Sequence, residues 1–160
     1  QGNIIQRRCR VREFRRLDFN AMFNATDVGP PAPTLLFRRE ALEAVGGFDT
    51  EIKLEDLQVE LKIAQAGFFI DVLGDVLAKY RVHGANTYKN RRFMVEQVMA
   101  TYACFRDHPD YPSACAKFLN SMLLKCAKDD KALARELLQK LPPRYWSMKT
   151  LRGLGRLLFS

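Results

Sequence analysis

The stretch from Gly46 to Asn86, GGFDTEIKLEDLQVELKIAQAGFFIDVLGDVLAKYRVHGAN, decides how this chain is organised. It opens with the turn Gly46–Asp49, continues with the acidic pair Glu55-Asp56 at the head of an amphipathic segment, and closes with the histidine-containing segment Tyr80–Asn86. Two adjacent carboxylates and an imidazole, each beside a turn signal, are groups that acid/base or metal-assisted chemistry requires. The stretch therefore predicts both a local fold and the position of a site.

Helix and strand patterns alternate on both sides of the acidic pair. Apolar residues recur at helical spacing after Leu54, and Gly67 ends that helix, so Glu55 and Asp56 occupy its first turn. Gly46-Gly47 stops the preceding short helix as a C-terminal cap. The patterns predict helices at 38–45 and 54–67, a loop at 26–33, and strands at 7–12, 34–37, 68–72 and 76–82.

Beyond Asn90 the pattern is helical throughout. Helices are expected at 91–106, 113–128, 130–141 and 143–158, separated by the loop 107–112 and by Pro142-Pro143. The sequence thus predicts an α/β part over residues 1–90, built on a mixed sheet with helices, followed by an all-helical extension over residues 91–160.

Charge is distributed unevenly along the 160 residues, whose formal net charge is +8. Residues 1–16 hold six arginines against one glutamate, whereas residues 40–75 hold nine acids against two lysines. An acidic centre with basic ends suits a metal or a hydroxyl-bearing substrate in the middle and an anionic neighbour at the edges. Solvated surface charge is the alternative for any single one of these residues.

The basic composition raises two rival functions. The sequence pI of about 9.5 and the arginine cluster are typical of a nucleic-acid-binding module. However, no recognition motif with flanking aromatic residues is present, and the acidic centre would repel phosphate, so a nucleic-acid partner is not expected. A non-catalytic helical scaffold is the second alternative.

The sequence indicates a cytoplasmic protein. No apolar run approaches the roughly 20 residues of a membrane-spanning helix, and the first residues carry no signal-peptide pattern. The four cysteines are too scattered for a disulfide framework, which favours a reducing compartment; they are Cys9, Cys104, Cys115 and Cys126.

Asp56, Glu55 and His83 are the residues best placed for chemistry. A carboxylate in a helix's first turn is stabilised as an anion by the helix dipole and is available as a general base, although acids are favoured at helix starts for stability alone. His83 follows a predicted strand and precedes Gly84, so its imidazole can be presented at a sheet edge as a ligand, or it can be structural.

These motifs together resemble the second half of a family-two glycosyltransferase of GT-A fold. The resemblance rests on residues 33–42, the turn Gly46–Asp49, the pair Glu55-Asp56, Gly67 and the segment Tyr80–Asn86. The order and intervals agree over about residues 30–90. The resemblance implies inverting transfer of a sugar from a nucleotide-diphosphate donor to an acceptor hydroxyl, in glycan or cell-surface polysaccharide synthesis.

The resemblance also implies roles for individual residues. Asp56, with Glu55 beside it, would be the base that deprotonates the acceptor hydroxyl, and Asp49 with Phe48 would line the acceptor side. His83 and Arg81 would lie near the donor diphosphate and its divalent metal, Mn²⁺ or Mg²⁺, with His83 as a metal ligand.

The chain departs from the family in one large respect. The nucleotide-binding half, with its Asp-x-Asp metal motif, has no counterpart, and no Asp-x-Asp occurs anywhere in the sequence. We therefore expect a fragment of a longer enzyme, or a partner that supplies the missing N-terminal half. The isolated chain is expected to be inactive, to hold no metal by itself and to self-associate through uncovered strand edges and apolar surface.

The last predicted helix is cationic and amphipathic. Apolar residues at helical spacing form one face, whereas Lys149, Arg152 and Arg156 share another. Such a helix, with Tyr145 and Trp146 at its start, suits an anionic membrane surface, which predicts a peripheral location at the inner face of the membrane. Packing against the preceding helices is the alternative.

Overall fold

The computed structural model describes residues 13–25, 30, 32–75, 78–79, 81, 83 and 86–159, and this part of the chain is mostly helical. The predicted mixed sheet is wrong. Within the described residues, strand pairing is confined to β1 (Arg15–Leu17) and β2 (Ile70–Val72), which form a two-stranded antiparallel sheet. Short apolar runs cannot be assigned to strands by pattern alone, because a strand also needs a neighbour to pair with.

The two strands are held by backbone pairing and by one bidentate ion pair. Arg16 lies opposite Asp71, and its Nε and Nη2 atoms donate to the Asp71 carboxylate at 2.7 and 2.9 Å. That pair holds the pKa of Asp71 below its usual range, with the hydrogen bond from Arg16 as the main cause. The sheet thereby joins the segment before α1 to the segment after α3.

Seven α-helices lie within the described residues: α1 (Phe19–Phe23), α2 (Arg39–Ala44), α3 (Glu55–Gln65), α4 (Arg91–Ala103), α5 (Tyr111–Asp129), α6 (Lys131–Lys140) and α7 (Met148–Phe159). Side chains cap three of them. The carboxylate of Asp18 accepts from the Ala21 amide at the start of α1. Asn90 and Asp130 accept amide hydrogen bonds in the same way at α4 and α6.

Helix α3 lies between two apolar clusters. Leu61 and Ala64 pack with α1, β1, α4 and the start of α5, whereas Val59 and Ile63 pack against Ala41 of α2. A helix with apolar residues on two sides is buried over most of its circumference, and six consecutive or near-consecutive residues of α3 are buried. This position fixes the acidic pair at its N-terminus.

The C-terminal helices form a third cluster, in which α5 packs against both α6 and α7. Exposed ion pairs connect α4 to this unit: Arg91 contacts Asp129 and Arg92 contacts Glu136. Since α4 also contributes Val98 and Tyr102 to the cluster around α1 and α3, apolar contacts continue across residue 90. The division at that residue stays a prediction.

Most predicted helices are confirmed to within a few residues, and the predicted strand 68–72 is confirmed over Ile70–Val72, but the other predicted strands are not. The residues of 34–37 form no strand, and the Leu36 side chain is 97% exposed. Of 76–82, the described residues 78, 79 and 81 are not in a strand, and 7–12 lies outside the described residues. β1 and α1 were missed because each is too short to show a period.

Across the described ranges, none of the helices combines the length and apolar character that crossing a membrane would require.

Candidate functional site

Two glycines build the turn that precedes the acidic helix. Gly46 and Gly47 both have a positive φ, +72° and +71°, a conformation that glycine adopts without strain. The Gly47 amide donates to the Leu42 carbonyl at 2.9 Å, which closes the end of α2. The turn thereby ends α2 and leads into the residues that precede α3.

Asp49 is fixed against α3 by hydrogen bonds to both carboxylate oxygens. Oδ1 accepts from the Glu51 amide at 2.9 Å, and Oδ2 accepts from Nε2 of Gln58 at 3.0 Å. These bonds, in that order, hold the pKa of Asp49 below its usual range, with a smaller effect from the charge of Lys62. Lys62 also donates to the Gly47 carbonyl at 3.2 Å, so the whole turn is attached to α3.

The predicted catalytic pair begins α3, as the sequence indicates. Glu55 is exposed, whereas Asp56 is half-buried and accepts a 2.8 Å hydrogen bond from the Leu57 amide through Oδ1. Successive helical residues point about 100° apart, so the two carboxylates face different directions. Asp56 is therefore directed towards the protein and Glu55 towards solvent.

Glu60 is the residue that sequence reasoning missed. It follows Asp56 by one helical turn, its side chain is only 5% exposed, and Oε1 has no hydrogen-bond partner among the described residues. Burial raises the pKa of Glu60 to about 8, and the negative charge of Asp56 adds to the effect. At neutral pH the Glu60 carboxyl is thus mostly protonated, one helical turn from the Asp56 carboxyl. The sequence feature that could have identified it is the position of this acid between two apolar residues, Val59 and Leu61.

Buried polar groups continue from α3 to α4. Gln58, 2% exposed, donates to Asp49 and contacts Sγ of Cys104 at 3.7 Å, while its Oε1 has no partner within the described part of the chain. The Lys53 amide donates to Oε1 of Gln97 at 3.0 Å. Helix α4 therefore supports the acidic end of α3 from one side.

Phe48 lies half-exposed beside this acidic end. Its ring makes an edge-on contact with Phe37, at a centroid distance of 5.8 Å. The contact covers one part of the Phe48 ring and leaves another part open to solvent.

His83 and Arg81 lie on an exposed segment organised by Asn86. The His83 amide donates to Oδ1 of Asn86 at 2.5 Å, and Nδ2 of Asn86 donates to the Arg81 carbonyl at 3.2 Å. The structure therefore places Asp56 and Glu60 on α3 and holds Asp49 against that helix through Gln58. Arg81 and His83 lie on the exposed segment that precedes α4.

The donor set does not fit a metal ion by itself. Over the residues that the structure describes, no three His, Cys, Asp or Glu side chains are grouped so that they could hold a metal ion. Comparisons of the chain with family models, with curated proteins and with solved structures found no match.

Proposed function

We propose that this chain is the acceptor-side part of an inverting glycosyltransferase, which transfers a sugar from a nucleotide-diphosphate donor to a hydroxyl of a growing glycan or cell-surface polysaccharide. The observation that supports the proposal best is the attachment of the Gly46–Asp49 turn to α3. The Asp49–Gln58 and Lys62–Gly47 hydrogen bonds hold this turn beside the helix whose first turn carries Asp56. Two motifs of the resemblance thereby belong to one local structure.

Asp56 is the proposed general base. As the acceptor oxygen attacks the anomeric carbon, its proton passes to the Asp56 carboxylate, and the bond to the nucleotide diphosphate breaks with its electrons on the leaving phosphate. Attack from the face opposite the leaving group inverts the anomeric configuration. Glu60 adds no second negative charge beside Asp56 at neutral pH, since burial raises the pKa of Glu60 to about 8.

Asp49 and Phe48 are the proposed acceptor contacts. Asp49 is held in place by its bonds to Glu51 and Gln58, and a carboxylate can accept hydrogen bonds from sugar hydroxyls. The open part of the Phe48 ring offers an apolar surface to the C–H face of a sugar. Arg81 and His83 are proposed to contact the donor diphosphate, because guanidinium and imidazole groups both donate to phosphate oxygens.

The nucleotide-binding half has to come from another segment or from a partner. Because no three metal-ligating side chains are grouped within the described residues, a divalent cation would need further donors from that half. We therefore expect residues 1–160 alone to transfer no sugar and to bind nucleotide sugars poorly. Calorimetry that detects micromolar binding of a nucleotide sugar to this chain would contradict that part of the proposal.

The base assignment is tested by Asp56→Asn in the active protein, with its nucleotide-binding half present. The amide keeps the size of the side chain but cannot accept the proton, so turnover should fall by roughly a hundred-fold or more while donor binding stays near normal. Glu55→Gln, the same change one residue earlier on the exposed side, is the matched control and should cost much less. A folded Asp56→Asn variant with most of its turnover would show that Asp56 is not the base.

A further inference from the structure

Helix α7 has two apolar faces, and its inward face is packed against α5. Gly153 lies so close to α5 that an added Cβ would come within 2.2 Å of Cδ2 of Leu123. Leu157 packs against the buried apolar cluster around α5 and α6, and Thr150 is completely buried. The opposite side of the helix consequently cannot be turned towards the protein.

Asn120 of α5 locks this orientation. Its Oδ1 accepts from the hydroxyls of Ser147, at 2.6 Å, and Thr150, and its Nδ2 donates to the Tyr145 carbonyl at 2.9 Å. Asn120 is itself 4% exposed, so these bonds form in a largely water-free environment. The start of α7 is thus fixed in both position and rotation.

The outward face carries large apolar side chains at helical spacing. Leu158 is 75% exposed and Phe159 88% exposed, far more than a folded domain usually leaves on one face of a helix. The outward stripe consists of Met148, Leu151, Gly155, Leu158 and Phe159.

Charge identifies the kind of partner. Residues 137–160 contain five lysines and arginines and no acid, so the stripe lies in a purely cationic segment. Lys149 and Arg152 are exposed beside it. Trp146, whose Nε1 donates to the Leu141 carbonyl at 3.2 Å, lies two residues before α7 and is an aromatic residue suited to a membrane interface. An apolar stripe flanked only by cations matches lipid chains below anionic headgroups.

We infer that the outward face of α7 is a docking surface for an anionic lipid membrane, on which the helix lies parallel to the surface with its apolar stripe inserted. This inference stands on α7 alone and does not depend on the proposed function.

The test measures binding of the full 160-residue chain to vesicles of phosphatidylcholine with and without phosphatidylserine. Trp146 is the only tryptophan, so a blue shift of its emission reports insertion next to α7, and co-sedimentation reports the affinity. Binding should need phosphatidylserine and should weaken with salt, because headgroup attraction is screened.

Leu151→Gln/Leu158→Gln should reduce partitioning by roughly ten-fold or more and abolish the emission shift, since the stripe loses two inserted side chains. The matched control is Leu36→Gln, the same change at a leucine that is 97% exposed elsewhere. Lys149→Gln/Arg152→Gln should reduce partitioning roughly ten-fold on anionic vesicles, with Arg135→Gln of α6 as its control.

Every outcome of these binding experiments either supports or overturns the inference. Loss of binding in the α7 variants but not in their controls, with unchanged circular dichroism, supports it. Equal binding of wild type and α7 variants would overturn it and assign vesicle affinity to the arginines of residues 1–16. Absence of an emission shift together with a change in self-association on sedimentation would overturn it in favour of a second copy, and salt-sensitive binding only to random-sequence DNA would overturn it in favour of nucleic acid.

Discussion

Substitution of Glu60 by glutamine should make the chain more stable at neutral and alkaline pH. Burial raises the pKa of this carboxyl from 4.5 to about 8. Ionisation of Glu60 above that pH costs the folded state roughly 5 kcal/mol, at about 1.4 kcal/mol per factor of ten in proton affinity. At pH 7 the cost relative to the unfolded chain is roughly 3 kcal/mol.

The direction of the pH dependence follows from the raised pKa. Below the unfolded pKa of 4.5 both states hold the proton, and the contribution of Glu60 to stability is fully present. As the pH rises towards 8, the unfolded chain releases its proton first, so the stabilisation is progressively lost. Glu60→Gln has no proton to lose and should remove this dependence.

Urea denaturation at a series of pH values measures the effect. The free energies of unfolding of wild type and Glu60→Gln should agree near pH 4 and separate by roughly 3 kcal/mol by pH 7. Glu55→Gln removes an exposed carboxyl from the same helix, so its free energy of unfolding should change with pH as that of wild type does over this range. If wild type and Glu60→Gln also ran parallel, Glu60 would not be a desolvated acid, and its proposed relation to Asp56 would fail.

Two further predictions concern the packing of α7. Gly153→Ala and Gly155→Ala gain the same helix propensity, but only Gly153→Ala forces a Cβ against Leu123. In thermal unfolding, Gly153→Ala should therefore be roughly 1–3 kcal/mol less stable than Gly155→Ala, and equal stability would refute the close approach. Asn120→Ala removes the hydrogen bonds that fix the start of α7, so the free energy of unfolding should fall by roughly 2–4 kcal/mol. The emission of Trp146 in the folded state should also shift to the red. An unchanged emission spectrum and unfolding midpoint would show that these bonds are dispensable.

The sequence predicts the helices well because their signals are local. Gly46-Gly47 ends α2, Asn90 and Asp130 cap α4 and α6, and each can be identified without knowing what the helix packs against. The sheet could not be predicted in the same way. Whether 34–37 pairs with anything depends on distant parts of the chain, and its Leu36 is instead exposed.

The candidate site shows the same separation between local and tertiary information. Asp49 and Asp56 were identified from motifs, and the contact that joins them to one helix is consistent with a shared site. The position of His83 relative to them depended on tertiary structure that the motif order did not contain. Glu60 was missed because its unusual ionisation comes from burial between elements, which a charge count treats as surface.

The location of Glu60 also explains how a carboxyl can be buried one helical turn from Asp56. Helix α3 is held on one side by the cluster containing Leu61 and on the other by the cluster containing Val59, so the apolar contacts of two clusters offset the cost of one buried carboxyl. A neutral Glu60 needs no counter-ion, whereas an ionised Glu60 one turn from Asp56 would add repulsion to desolvation. The two carboxyls are therefore coupled, and a pH profile of turnover in the active protein should change in Glu60→Gln even though the substituted side chain lies below the reacting groups.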